Sequence, residues 1–109
     1  MSYFDLYGVE EKSFDKVKSK IEQVFGVTLH EGGGWGMTVY RPKVDEKISI
    51  ELVENYFTDD EGEQIYEEKY PQYDLVFWVN DVSENESNDF ELQLTNEGFM
   101  TLISREDIK

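Results

Sequence analysis

The chain has 109 residues, of which 39% are hydrophobic, so the sequence predicts one folded domain over residues 1–109 rather than two domains or a disordered chain. It has no cysteine, which excludes disulfide bonds and thiolate metal sites, and no apolar run of about 20 residues that could span a membrane. The formal net charge of -15 would repel nucleic acid and anionic membranes and would attract a basic partner.

Residues 12–25 have the clearest helical periodicity in the chain. Ser13 is a suitable N-cap, and Gly26 stands where a helix commonly ends in the left-handed conformation. The apolar residues fall on one stripe of a 3.6-residue helix and predict a buried face, which consists of Phe14, Val17, Ile21, Val24 and Phe25.

After Gly26 the apolar period changes to two, which is typical of half-buried strands. Strands are predicted around residues 27–30, 37–40 and 48–53, with Ile48, Ile50 and Leu52 on one face of the last. The nearly continuous apolar run at 75–79 predicts a central strand covered on both faces. Alternation in "DFELQLT" predicts another strand, and "GFMTLIS" suits either a final strand or a short helix. The predicted fold class is α+β, with an N-terminal helix packed on a mostly antiparallel sheet.

The glycine cluster in "EGGGWGMTVYRP" is interpreted as a hairpin turn. A phosphate-binding loop needs a following helix and, in its commonest form, a Lys and a Ser or Thr, whereas a strand pattern follows Gly36. Glycine instead supplies the positive φ angles that tight hairpins require. Trp35 in this turn is a candidate partner contact, because tryptophan at an exposed tip is favoured as an interface anchor.

Two acidic connections stand out, within a stretch from Ile48 to Ser104 that has 15 acidic residues and one basic residue, Lys69. In "TDDEGEQIYEEKYP" the second half suggests a short helix ending before Pro71, and "NDVSENESND" suggests a polar, flexible loop. The first connection, with Tyr56 beside it, is the predicted partner-binding segment. Its carboxylates are Asp59, Asp60, Glu61, Glu63, Glu67 and Glu68.

Catalytic and metal-binding patterns are weak, so the sequence predicts no enzyme and no cofactor. His30 is the only histidine, and no serine lies in a nucleophile-elbow motif. Calcium loops fail as well, because placing Gly62 at the sixth position puts Phe57 at the first, where an oxygen ligand is needed.

The order of these segments resembles that of small immunity proteins from bacterial polymorphic and contact-dependent growth inhibition toxin systems. The matching stretches are a helix ending in Phe25-Gly26-Val27, the glycine turn at 33–40, a strand closing on Asn55, and the segment at 70–79. Together they cover about half of the chain. The resemblance implies a cytoplasmic monomer that needs no cofactor and forms a one-to-one complex with a cognate toxin domain, commonly a basic nuclease. No membrane or nucleic acid takes part in that complex.

Two other functions fit the sequence. An acidic nucleic-acid mimic or regulator would occupy the basic site of a protein other than a toxin, and genomic context separates these cases. A small metal-dependent enzyme is the other alternative, and its melting temperature would respond to divalent ions.

Overall fold

The computed structural model describes residues 2–33, 37–43 and 47–108. These residues form eight strands and two α-helices, α1 (Phe14–Phe25) and α2 (Glu84–Thr95), with a short 3-10 turn at Asn96–Gly98. None of the described helices is long and apolar enough to cross a membrane. The strands are β1 (Ser2–Val9), β2 (His30–Gly32), β3 (Val39–Arg41), β4 (Ser49–Glu54), β5 (Tyr56–Asp59), β6 (Gly62–Ile65), β7 (Leu75–Val82) and β8 (Met100–Ile108).

Six strands form one antiparallel sheet in the order β2-β3-β4-β7-β1-β8, and β5 pairs with β6 in a separate two-stranded sheet. Strand β7 lies between β4 and β1. Helix α2 connects β7 to β8 across the single intervening strand β1, which is the split β-α-β arrangement. Helix α1 connects β1 to β2 across three intervening strands, β7, β4 and β3. The predicted α+β class is confirmed, and the central position predicted for the apolar strand β7 is confirmed with it.

Helix α1 begins and ends as the sequence predicts. The Ser13 side chain accepts a hydrogen bond from the Lys16 backbone N–H, and Gly26 ends the helix with a φ of 68°. Val17 and Ile21 are fully buried against the sheet. The other predicted stripe residues, Phe14, Val24 and Phe25, pack around the same core. Local capping and the apolar stripe therefore fix the helix in the same place.

The core lies mainly on the sheet face that carries both helices. Tyr7, Ile50, Leu52, Phe77 and Val79 project from the strands into this layer. A smaller apolar cluster covers part of the opposite face, where Tyr70 and Tyr73 from the connection at 66–74 pack over Val53 and Val76. The Tyr73 ring lies directly on Gly8, leaving no room for a side chain at that position. Strand β7 is therefore covered on both faces, as its apolar run predicts.

The segment predicted as a flexible loop followed by a strand is instead helix α2. Ser83 and Glu86 form a reciprocal capping box, each side chain binding the other's backbone N–H. This pattern satisfies two backbone donors at the start of the helix and overrides the polar composition of the segment. The alternation of Phe90, Leu92 and Leu94 was misleading, because Leu94 is buried whereas Leu92 is 73% exposed.

Three further predictions, one of a helix and two of strands, need correction. The helix expected before Pro71 is absent from residues 62–70, which form β6 followed by turns. The strands expected around 27–30 and 37–40 are short, because β2 begins only at His30 and β3 only at Val39. Strand β1 was not predicted at all. Of the two possibilities for the last segment, the strand is correct.

A buried polar cluster connects β1, β8 and α2. The Asp5 carboxylate is fully buried and accepts hydrogen bonds from Arg105 Nε at 2.9 Å and Ser87 Oγ at 2.6 Å. Arg105 also reaches Glu91 Oε1 at 3.1 Å. The charge of Asp5 is thus paired and hydrogen-bonded, which a buried carboxylate requires. This cluster fastens the C-terminal edge strand to the second helix.

Candidate functional site: an acidic hairpin

The predicted partner-binding segment folds as a β-hairpin between β4 and β7. Tyr56 pairs with Ile65, Thr58 with Glu63, and Asp59 with Gly62, which leaves Asp60 and Glu61 as the two-residue tip. The β5–β6 ladder is separate from the six-stranded sheet. Asp60 and Glu61 are exposed, so the charges of the tip face solvent.

Two residues determine the conformation of the tip. The Asp59 carboxylate accepts a hydrogen bond from the Glu61 backbone N–H at 2.8 Å, a contact that mimics a backbone turn. Gly62 has a φ of 108°, a conformation that side-chain-bearing residues rarely adopt. Asp59 is consequently part of the turn, whereas Asp60, Glu61 and Glu63 are exposed side chains free to present charge.

The hairpin carboxylates form no ion pair among the described residues. The ion pairs there join Lys18 to Glu22, Arg41 to Glu51, and Arg105 to both Asp5 and Glu91. Uncompensated carboxylates close together on an exposed hairpin create a local negative potential. Such a potential would steer a positively charged surface toward the tip.

Asn55 holds the base of the hairpin. It is fully buried, and its side-chain N–H groups donate to the carbonyls of Tyr70 at 3.0 Å and Tyr73 at 2.8 Å. Its side-chain oxygen accepts from the Glu67 backbone N–H at 2.8 Å, and its own carbonyl accepts from the Tyr66 N–H. One side chain therefore connects the start of β5 to the segment that returns from β6 to β7.

Glu67 and Glu68 lie beyond the hairpin, in the turns after β6. Glu67 is half-buried, and burial raises the pKa of its carboxyl while nearby Lys69 lowers it. Glu68 is exposed. The structure thus brings four of the six predicted carboxylates together on one hairpin and places the other two near its base.

Tyr56 is the exposed aromatic residue at the start of β5, with 38% of its surface accessible. Its hydroxyl donates to the Pro71 carbonyl, so the side chain is held against the returning segment. Tyr66, which directly follows the Tyr56 partner Ile65 at the end of β6, is 37% exposed. Trp35, the other predicted aromatic contact, lies outside the described residues. Gly33, two residues before Trp35, has a φ of 129°, in keeping with the predicted turn.

The competing acidic segment, 84–89, has a different structural role. The Glu86 carboxylate accepts a hydrogen bond from the Ser83 backbone N–H at 3.1 Å, so it stabilises the helix start. Glu84 lies in the first turn, where a negative charge interacts favourably with the helix dipole. These two acids therefore have local reasons to be present, which Asp60, Glu61 and Glu63 lack.

Sequence reasoning assigned neither Glu54 nor Asp74 to the site, and it named Asn55 only as the end of a strand in the family resemblance. Glu54 ends β4 and pairs with Leu75, and the Asp74 carbonyl accepts from the Asn55 N–H at 2.8 Å. A polar pair directly after the buried residues of β4 was the available signal. The contacts of Asn55 span up to 18 residues, however, and no local pattern predicts them.

Residues 2–33, 37–43 and 47–108 contain no group of three or more His, Asp or Glu side chains that could hold a metal ion. His30 is exposed on the edge strand β2 and lines a cavity with Lys43 rather than with an acid. No protein-family model, curated protein or solved structure matches the chain.

Proposed function

We propose that this protein is an immunity-type inhibitor that binds and neutralises a basic toxin domain, with the acidic hairpin as its principal contact. The observation that carries the proposal is the hairpin itself. It is an anchored hairpin whose exposed tip presents Asp60 and Glu61, beside Glu63, and no cation of the described residues pairs with them.

Charge and anchoring make different contributions to such an inhibitor. The net charge of -15 and the exposed tip would accelerate encounter with a basic surface. The Asn55 contacts fix the base of the hairpin before binding, so less conformational entropy is lost on association. Both features support tight inhibition without a cofactor, and neither depends on chemistry performed by this chain.

A nuclease toxin domain is the partner class that fits this surface best. Nucleases bind phosphates through lysine and arginine, and an acidic protein can cover the same cationic cleft. The toxin would be encoded beside this protein, because a producing cell needs both together. The complex is proposed to be one-to-one and cytoplasmic.

Co-expression tests the proposal. The toxin domain encoded immediately upstream should arrest growth when expressed alone, and this protein should restore growth when co-expressed. A catalytically disabled toxin domain should co-purify with it as a one-to-one complex. Continued growth arrest with both proteins soluble would refute the proposal.

The acidic-mimic alternative makes a different prediction in the same system. A general mimic of nucleic acid would bind unrelated DNA-binding proteins about as well as the toxin domain. An immunity protein should discriminate against them, because buried contacts beyond charge determine dissociation. Comparable affinity for several unrelated basic proteins would favour the mimic.

A further inference from the structure

A small cleft lies at the base of the hairpin, on the side of the sheet that carries the helices. It has a volume of about 340 Å³ and is lined by Phe14, Glu54, Tyr56, Asp74 and Leu75. This volume is near the lower limit for ligand sites, which usually run from about 300 to 1,000 Å³. It suits one long side chain better than a nucleotide or another large cofactor.

The walls of the cleft combine aromatic and aliphatic surface with two carboxylates. Phe14 is held by the ring of Tyr40, with ring centroids 4.7 Å apart. Tyr56 is held by its hydroxyl contact to the Pro71 carbonyl. Glu54 and Leu75 are paired across β4 and β7, so a carboxylate and an apolar side chain adjoin. The walls are thus positioned by contacts outside the cleft.

The charge of the cleft is negative and unpaired within the described part of the chain. The ion pairs there involve neither Glu54 nor Asp74. The helix α1 N-terminus is close by, but the Ser13 hydroxyl and the Glu11 carboxylate already accept hydrogen bonds there. Glu54 also lies near Tyr40, the ring that packs behind Phe14, since burial, then Glu31, then Glu54 raise the pKa of Tyr40.

From these features we infer that the cleft binds the cationic side chain of a lysine or arginine presented by the partner protein. The alkyl part of such a side chain would contact Leu75 and the rings, while the charged group would lie between Glu54 and Asp74. A bare metal ion fits less well, because it needs several oxygen ligands and here the remaining walls are apolar. The identity of the partner rests on the proposed function, whereas the class of side chain rests on the cleft alone.

The cleft complements the hairpin tip. Exposed charges at the tip mainly affect the rate of association, whereas a side chain that packs on aromatic rings and pairs with carboxylates affects dissociation. Anchors of this kind supply much of the energy of a protein interface. The inference therefore adds a specificity-determining pocket to a surface otherwise defined by charge.

Titration with capped amino acids tests the cleft without the partner. Isotope-labelled protein is titrated with N-acetyl-lysine methylamide, N-acetyl-arginine methylamide and the neutral N-acetyl-norleucine methylamide. The two cationic probes should cause saturable amide shifts at Phe14, Tyr56 and Leu75, with dissociation constants in the millimolar range expected for such small ligands. Equal shifts with norleucine, or no shift with either cation, would overturn the inference.

A matched pair of variants locates the effect. The E54Q/D74N variant keeps the shape of the cleft and should weaken lysine binding at least fivefold, while D60N/E61Q removes two charges elsewhere and should leave it nearly unchanged. Thermal melting checks that both variants are folded. Equal weakening of lysine binding by the two variants would mean that only the general negative charge of the protein acts, and would overturn the inference that the cleft is the binding site.

The same variants separate this inference from the proposed function. In the complex with the upstream toxin domain, E54Q/D74N should raise the dissociation constant at least tenfold, chiefly by faster dissociation. An unchanged dissociation constant for E54Q/D74N, while hairpin variants still weaken the complex, would overturn the inference about the cleft alone. Failure of the wild-type protein to bind the toxin domain, with lysine still entering the cleft, would overturn the proposed function alone.

Discussion

Replacing Asn55 by alanine should destabilise the fold and loosen the base of the hairpin together. The substitution removes three side-chain hydrogen bonds, to Glu67 N–H, Tyr70 C=O and Tyr73 C=O. Each such bond contributes about 1 kcal/mol net, so the free energy of unfolding should fall by about 3 kcal/mol. The loss of stability is larger where the Glu67 N–H and the two carbonyls stay buried without partners, and smaller where water enters the segment at 66–74 and replaces the lost hydrogen bonds.

The isosteric Asn55→Asp variant refines this prediction. A carboxylate still accepts from the Glu67 N–H but cannot donate to the two carbonyls, which it would repel instead. It should therefore be no more stable than the alanine variant at neutral pH, although it is closer to asparagine in size. Partial recovery at low pH would follow, because a protonated carboxyl can donate one hydrogen bond.

Urea unfolding and amide hydrogen exchange measure the two consequences. Exchange at the Glu67 and Tyr66 N–H groups should accelerate in Asn55→Ala far more than exchange in α1. The control is Asn85→Ala, an exposed position on α2, which should change stability by less than about 0.5 kcal/mol. A loss below about 1 kcal/mol in Asn55→Ala, or unchanged exchange at Glu67, would refute the proposed role of Asn55.

Three other predictions concern charge. Raising ionic strength several-fold should slow association with the toxin domain by about an order of magnitude and change the dissociation rate much less. Stopped-flow kinetics at several salt concentrations measure both rates, and a salt-independent association rate would contradict electrostatic steering. Asp5→Ala should lower the free energy of unfolding, measured with urea, by about 3 kcal/mol, because it leaves the partly buried Arg105 guanidinium without its main partner. A loss under about 1 kcal/mol would mean that the ion pair contributes little to stability. Burial raises the pKa of Glu67, so its ionised form is disfavoured in the folded state and its contribution to stability improves as pH falls through that pKa toward the unfolded value. Glu67→Gln should therefore raise the melting temperature slightly at pH 7, with a gain of less than about 0.5 kcal/mol in the free energy of unfolding because the side chain is only partly buried. The gain should be smaller at pH 4, and an equal gain at pH 4 and pH 7 would contradict the raised pKa of Glu67.

Local signals in the sequence were sufficient for α1 and for the two central strands. Ser13, Gly26 and the apolar stripe agree with one another, so no distant contact is needed to place α1. In β4, the alternation of Ile50 and Leu52 with polar neighbours corresponds directly to the two faces of the sheet. These elements combine strong periodicity with clear boundaries.

Helix α2 was mispredicted because its sequence carries two competing patterns. Only Ser87 and Leu94 are fully buried in it, so it lacks the broad apolar stripe of a typical packed helix. The Ser83–Glu86 capping box was the decisive signal, and it marks a helix start even in a polar segment. Had the capping box been preferred to the apolar alternation that begins at Phe90, the sequence would have predicted the helix.

The candidate site was predictable in composition but not in arrangement. The acidic residues at 59–63 are evident in the sequence, and Gly62 indicates a turn. The division of roles between Asp59, which forms the turn, and Asp60, which presents charge, depends on a hydrogen bond that composition does not reveal. The cleft is less predictable still, because it joins Phe14 to Tyr56 and Asp74 across three separate parts of the chain.

The most direct test of the account measures toxin binding after charge reversal at the tip. The variant D60K/E61K/E63K leaves the Asp59 turn contact intact. It should weaken the complex by about 2 kcal/mol, or about 30-fold in dissociation constant, measured by calorimetry at physiological salt. The control D89K/E106K/D107K makes the same change in net charge at exposed positions on α2 and β8, and should weaken binding less than fivefold. Equal losses from the two variants, or an unchanged constant for the tip variant, would contradict the hairpin as the contact surface.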